Sequence, residues 1–109
     1  MIENHTTGLD ALFACMRACR ECAAACLAEP HVHAMSRCIQ LDLACAAVCS
    51  AAAEAMLQQV NQANSLCQVC ADICNACAEE CERHEHDHCK KCAAACRHCA
   101  SVCLEMVAA

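Results

Sequence analysis

The 109-residue sequence has no tryptophan and no tyrosine, one phenylalanine (Phe13), one glycine (Gly8) and one proline (Pro30). Loops and turns draw heavily on glycine and proline, so their scarcity argues against a loop-rich fold. Without aromatic rings there is no platform for stacking bases, and a net charge of −6 supplies no basic patch for phosphates; both argue against nucleic-acid binding. Large aliphatic groups are scarce too: Leu, Ile, Val and Phe together make 18 of the 109 residues. That supply is too small for an ordinary core and would by itself suggest disorder. No uncharged apolar run reaches the length of a membrane span, and Met1 to Gly8 show no basic segment followed by an apolar stretch. The expectation is one domain over residues 1–109, in the cytosol, where thiols are kept reduced.

What the chain has in place of large apolar residues is sulfur. Its 17 cysteines fall into four groups: Cys15, Cys19, Cys22 and Cys26; Cys38, Cys45 and Cys49; Cys67, Cys70, Cys74, Cys77 and Cys81; Cys89, Cys92, Cys96, Cys99 and Cys103. Within each group the steps are three, four or seven residues, which places the cysteines on one stripe of a helix. The intervening residues are helix formers, mostly alanine with Glu, Arg, Lys and Leu. Reduced cysteine behaves as a small hydrophobe, so cysteine and alanine together supply an interior. Arg20, Glu21, Glu79, Lys90 and Lys91 lie off the stripes, so each stripe should turn inward.

The breaks fit four helices, near 7–29, 31–60, 63–83 and 87–107. Thr7, Gly8, Leu9 and Asp10 resemble a capping start to the first. Pro30 can end that helix and occupy the first turn of the second. The polar run from Gln58 to Ser65 holds the next break. His84 to Asp87 holds the third, with Asp87 as an N-cap. Short connections imply antiparallel neighbours, so the expected fold is all-α, an up-down-up-down four-helix bundle with a cysteine-lined core.

Seventeen inward cysteines are a poor way to build a merely apolar core, because leucine or valine buries more area. Disulfides fit badly, since helical neighbours hold their Cβ atoms ~5–6 Å apart and a disulfide needs ~3.5–4.5 Å. Metal binding remains. Zinc and iron–sulfur clusters want four converging ligands, usually presented by loops. Copper(I) is soft, prefers thiolate and accepts two or three ligands. Charge balance favours it as well: one copper(I) per thiolate leaves a neutral core, whereas one zinc per four thiolates leaves two buried negative charges. Catalysis is not expected, because no one thiol is singled out beside a base.

The sequence resembles the copper storage proteins, cysteine-rich four-helix bundles, and among them the cytosolic branch. The resemblance spans roughly residues 10–106. It rests on Cys15-Met-Arg-Ala-Cys19-Arg-Glu-Cys22-Ala-Ala-Ala-Cys26, Cys38-Ile-Gln-Leu-Asp42-Leu-Ala-Cys45-Ala-Ala-Val-Cys49, Cys67-Gln-Val-Cys70-Ala-Asp-Ile-Cys74-Asn-Ala-Cys77, and Cys81-Glu-Arg-His84-Glu-His86-Asp-His88-Cys89-Lys-Lys-Cys92. What it implies is a bundle that folds without metal, a homotetramer, and several copper(I) ions per subunit. A copper chaperone or an acceptor enzyme would be the exchange partner, and the residues identify neither.

Two further features bear on the metal. Asp42 sits where the stripe 38, 42, 45, 49 expects cysteine, so it should point inward, to ligate copper near Cys38, to hold a buried histidine, or simply to hydrogen-bond to backbone or water. His98 is placed at a similar height, on a flank. In an up-down-up-down bundle one pole gathers His31, His33, Met35, His84, His86 and His88, and the other gathers Leu9, Leu12, Met56, Leu66 and Met106. Imidazole binds copper(I) more weakly than thiolate does. The pole holding His33, His84, His86 and His88 is therefore expected to admit the ion.

Overall fold

A computed structural model describes residues 2–108, with side chains from residue 5 onward. Its helices are α1 (Ile2–Leu27), α2 (Ser36–Gln58), α3 (Ala63–Cys81) and α4 (Asp87–Ala108), with a short 3-10 turn at Val32–Met35. Each helix packs on two neighbours: α1 on α2 and α4, and α3 on α2 and α4. This is the expected antiparallel square, drawn out to 45 × 18 × 17 Å. Every cysteine is buried, together with Ala23, Ala46, Ala52, Ala53, Ala71, Ala78, Ala93 and Ala100. The alanines keep the helices close and leave the axis to sulfur.

The ends of the helices correct the sequence reading. Helix α1 begins at Ile2, so Thr7, Gly8, Leu9 and Asp10 lie inside it rather than capping it. Glycine within a helix is unfavourable, but here the space is taken. A Cβ at Gly8 would collide with the sulfur of Met106 and crowd the methyl of Met56. Pro30 follows the end of α1 as expected, but α2 starts only at Ser36, after the 3-10 turn. Asp87 lies in the first turn of α4 instead of capping it; the His86 carbonyl accepts from the N–H groups of Cys89 and Lys90, at 3.0 and 3.1 Å.

The α2–α3 break turns on Gln59, which adopts the left-handed conformation (φ 58°, ψ 39°) while its N–H bonds back into the last turn of α2. A side chain with a Cβ is strained there, and glycine is the usual occupant. Gln59→Gly should therefore raise the stability of the reduced, metal-free protein by about 0.5–1 kcal/mol, after allowing for the greater freedom of glycine in the unfolded chain. Denaturant unfolding checks this; a lower midpoint would refute it.

Candidate metal centre

All seventeen cysteines are free thiols. They line the axis in a column that Asp42 bridges part of the way along. In its middle, Cys15 Sγ lies 3.8 Å from Cys74, 3.7 Å from Cys96 and 4.0 Å from both Cys19 and Cys45. Toward the Met56 and Met106 pole, Cys74 contacts Cys45 at 3.5 Å and Cys70 at 3.8 Å, and Cys49 contacts Cys70 at 3.5 Å. Toward the other pole, Cys19 meets Cys96 at 3.7 Å and Cys92 at 3.8 Å. Cys38 meets Cys81 at 3.6 Å and Cys26 at 3.9 Å, and Cys22 meets Cys26 at 3.8 Å and Cys89 at 4.0 Å. Most of these contacts join different helices, and only Cys15–Cys19, Cys70–Cys74 and Cys22–Cys26 lie within one, so the four sequence stripes become a single donor array.

Several stretches of the column can surround an ion. The sets Cys15, Cys49, Cys74, Cys99 and Cys19, Cys77, Cys92, Cys96 and Cys22, Cys26, Cys38, Cys89 each hold their sulfurs within 4.8 Å of one another. With metal–sulfur bonds of ~2.3 Å, a trigonal site needs sulfurs ~4.0 Å apart and a linear one roughly 4.5 Å. The observed spacing fits trigonal copper(I) directly and linear copper(I) after small side-chain rotations.

Asp42 is fully buried and points inward, as the stripe requires. Its neighbours are thiols. Cys77, Cys92 and Cys81 donate to Oδ1 at 3.1, 3.3 and 3.6 Å, and Cys38 donates to Oδ2 at 3.8 Å. No histidine is held there, and His98 is exposed on α4. With Cys22, Cys81 and Cys92, Asp42 forms a mixed oxygen–sulfur set within 4.8 Å.

At the histidine pole the structure separates the candidates. His88 reaches the column: its Nδ1 lies 3.5 Å from Cys22 Sγ, 3.5 Å from Cys89 Sγ and 3.9 Å from Cys26 Sγ. His86 stacks on His88, with ring centres 5.2 Å apart. His84 turns to Glu80, at 2.9 Å, and His33 is exposed. Met35 is buried beneath this pole. Sequence reasoning missed Glu29 and Glu80. The Glu80–His84 pair, four residues apart across the end of α3, was readable from its spacing; Glu29 reaches the histidines only across the tertiary structure.

Burial pushes Cys26, Cys89 and Asp42 toward their neutral forms. Removal from water, reinforced by Cys38, raises the thiol of Cys26, and raises that of Cys89 to about 11. Asp42 rises from the ordinary 3.8 to about 8, chiefly through burial and then through the facing Cys92, against the thiol hydrogen bonds from Cys77 and Cys22. A raised carboxyl keeps in the folded state a proton that the unfolded chain has already lost. Between about pH 4 and about pH 8 the native state therefore binds more protons, and the stability due to this group falls as pH rises. Asp42→Asn removes that dependence. The reduced, metal-free variant should gain stability over the parent as pH rises from 5 to 8 and hold a constant advantage above about 8. Denaturation midpoints across this range check it; a pH-independent difference would refute it.

This geometry has close counterparts. The copper storage protein family model matches residues 1–108. An uncharacterised cysteine-rich protein of Bacillus subtilis, YhjQ, is 45% identical over 100 residues, covering 92% of this chain and 93% of its own. The Cu(I)-bound copper storage protein BsCsp3 superposes with a TM-score of 0.92 at 42% identity, covering 95% of this chain and 98% of that one. A cytosolic copper storage protein from Streptomyces lividans, loaded with five coppers, superposes with a TM-score of 0.95 at 39% identity, covering 98% of this chain and 94% of that one. With the sulfur column, the four-helix frame and a match over nearly its whole length, this chain belongs to the copper storage protein family.

Proposed function

We propose that this chain stores copper(I) as cargo in the cytosol and has no catalytic role. The observation that carries the reading is the column of thiols on the axis, with neighbouring sulfurs at 3.5–4.0 Å, as between Cys49 and Cys70 or Cys22 and Cys89, and with Asp42 bridging its two parts through Cys38, Cys77, Cys81 and Cys92. The ligands are the thiolates of all 17 cysteines, with Asp42 completing the sites around Cys38, Cys81 and Cys92, and His88 completing that of Cys22, Cys26 and Cys89. Each thiol exchanges its proton for one copper(I), forming a sulfur–copper bond and releasing one H⁺ to solvent. The core is neutral before and after, so it can fill without accumulating buried charge. Spacing alone would also suit tetrahedral zinc, whose ligating sulfurs lie ~3.7 Å apart. Charge decides between them, because each zinc on four thiolates strands two negative charges in an alanine-lined interior. His88 faces three thiols at once, which suits a metal ligand and not the base of one nucleophile.

Stoichiometry tests this. Titration of the reduced protein with copper(I) in competition with a chelator should saturate near one ion per thiol, releasing about one proton per ion, and the loaded protein should be colourless. Saturation near four ions would favour zinc-like or cluster sites, and a brown protein would favour iron–sulfur.

We further propose that copies of the chain assemble through α2, in line with the tetramer expected from the resemblance. From Cys38 to Ala53 the one charged residue is Asp42, which is buried. The outward face is Gln40, Leu43, Ala44, Ala47, Ser50 and Ala51, and Leu43 is 52% exposed. The other helices carry charge outward, with Arg17 and Glu21 on α1, Asp72 and Glu79 on α3, and Lys90 and Lys91 on α4. By length and composition Val32–Gln58 could also cross a membrane, but its inward face is sulfur and carboxyl engaged by the bundle. Leu43→Glu with Ala47→Glu should lower the mass found by light scattering while leaving copper capacity per chain unchanged. A wild type that runs as a monomer, or variants of unchanged mass, would refute the assignment.

A further inference from the structure

The pole where His88 meets the column contains an acid that neither the metal array nor the helix packing requires. Glu29 lies two residues beyond the end of α1, with its N–H bonded to the Cys26 carbonyl at 3.2 Å and Pro30 after it. Its side chain is 24% exposed and turns across the pole to the α3–α4 connection. There Oε1 lies 3.4 Å from His88 Nε2 and 3.5 Å from His86 Nδ1. One carboxylate oxygen thus faces both stacked imidazoles.

We infer that Glu29 is a positioning residue for the ion-admitting pole, fixing the tautomer and ring orientation of His88. The inference rests on the storage reading and adds a residue to it. A neutral imidazole carries one N–H, and a carboxylate can only accept. The Nε2 facing Glu29 therefore bears the hydrogen, and Nδ1 keeps the lone pair, aimed at Cys22, Cys26 and Cys89. That is the tautomer a ligand needs, because a protonated Nδ1 cannot bind a metal ion. Metal-binding histidines are commonly oriented by a carboxylate on the other nitrogen, which also makes the ligand more basic. Here the acid comes from the α1–α2 side of the pole and the histidine from the α3–α4 side, so the contact also ties together the two connections between which an ion must pass. His86, paired to the same oxygen, braces the His88 ring by stacking.

The test uses the full chain, reduced and metal-free, with ¹⁵N-labelled histidine, and reads tautomer and copper(I) uptake separately. In the wild type, His88 should carry its hydrogen on Nε2. Glu29→Ala should mix the two tautomers and slow copper(I) uptake from a chelator by roughly tenfold at unchanged capacity. Glu29→Gln keeps an accepting oxygen and should restore both the tautomer and most of the rate. His88→Ala should slow uptake to a similar degree, with no further loss when Glu29→Ala is added. A Glu29→Ala protein with the wild-type tautomer and rate overturns the inference while the storage reading stands. A wild type that saturates near four ions overturns the storage reading and this inference with it.

Discussion

A thiol buried among other thiols is a neutral, mildly apolar group, and a bundle can be built on it. The same sulfur as a thiolate is a buried charge, tolerable only with a cation attached. This one property explains how the protein can have a folded interior without metal and still hold sites for many ions. Cys15 is fully buried and touches sulfur on all three other helices, at Cys45, Cys74 and Cys96. Filling the column substitutes copper for protons one by one, so no step has to create an uncompensated charge or open the helices widely.

Small side chains make that column possible. Leucine at the flanking positions would push the helices apart and the sulfurs out of bridging range. Buried alanines such as Ala46, Ala71 and Ala78 hold the cross-section to 18 × 17 Å. The same economy accounts for Gly8, whose missing Cβ leaves room for Met106 over α1. The near-absence of aromatic and large aliphatic residues, which at first suggests too weak a core, is a condition of packing so much sulfur on one axis.

The two ends of the column differ in chemistry. At one, Leu12, Met56 and Met106 cover the last cysteines with apolar groups. At the other, the column runs into an imidazole, a carboxylate and a turn on either side. On the proposed reading, weaker, exchangeable donors at the rim and strong thiolates within would make a gradient of affinity directed inward. Asp42 interrupts the sulfur part of the way along, placing one hard, proton-holding donor among Cys38, Cys77, Cys81 and Cys92.

The sequence by itself determined the helices, the inward stripes and the softness of the metal. The steps of three and four fix which face a cysteine occupies, and thiolate chemistry fixes what it prefers to bind. Asp42 was legible for the same reason, as a gap filled in a periodic pattern. Helix ends were less legible. Thr7 and Gly8 have the composition of a cap, but interior packing against Met106 carried α1 past them, and the 3-10 turn at Val32–Met35 delayed α2 beyond Pro30. Only the tertiary structure decided which histidine meets the sulfur. His84, His86 and His88 are close neighbours in sequence, yet the first turns to Glu80, the second stacks and the third reaches Cys22 and Cys89. Local spacing cannot make that choice, because it depends on where the end of α1 places Glu29 and Cys26 against the start of α4, across some sixty residues of chain.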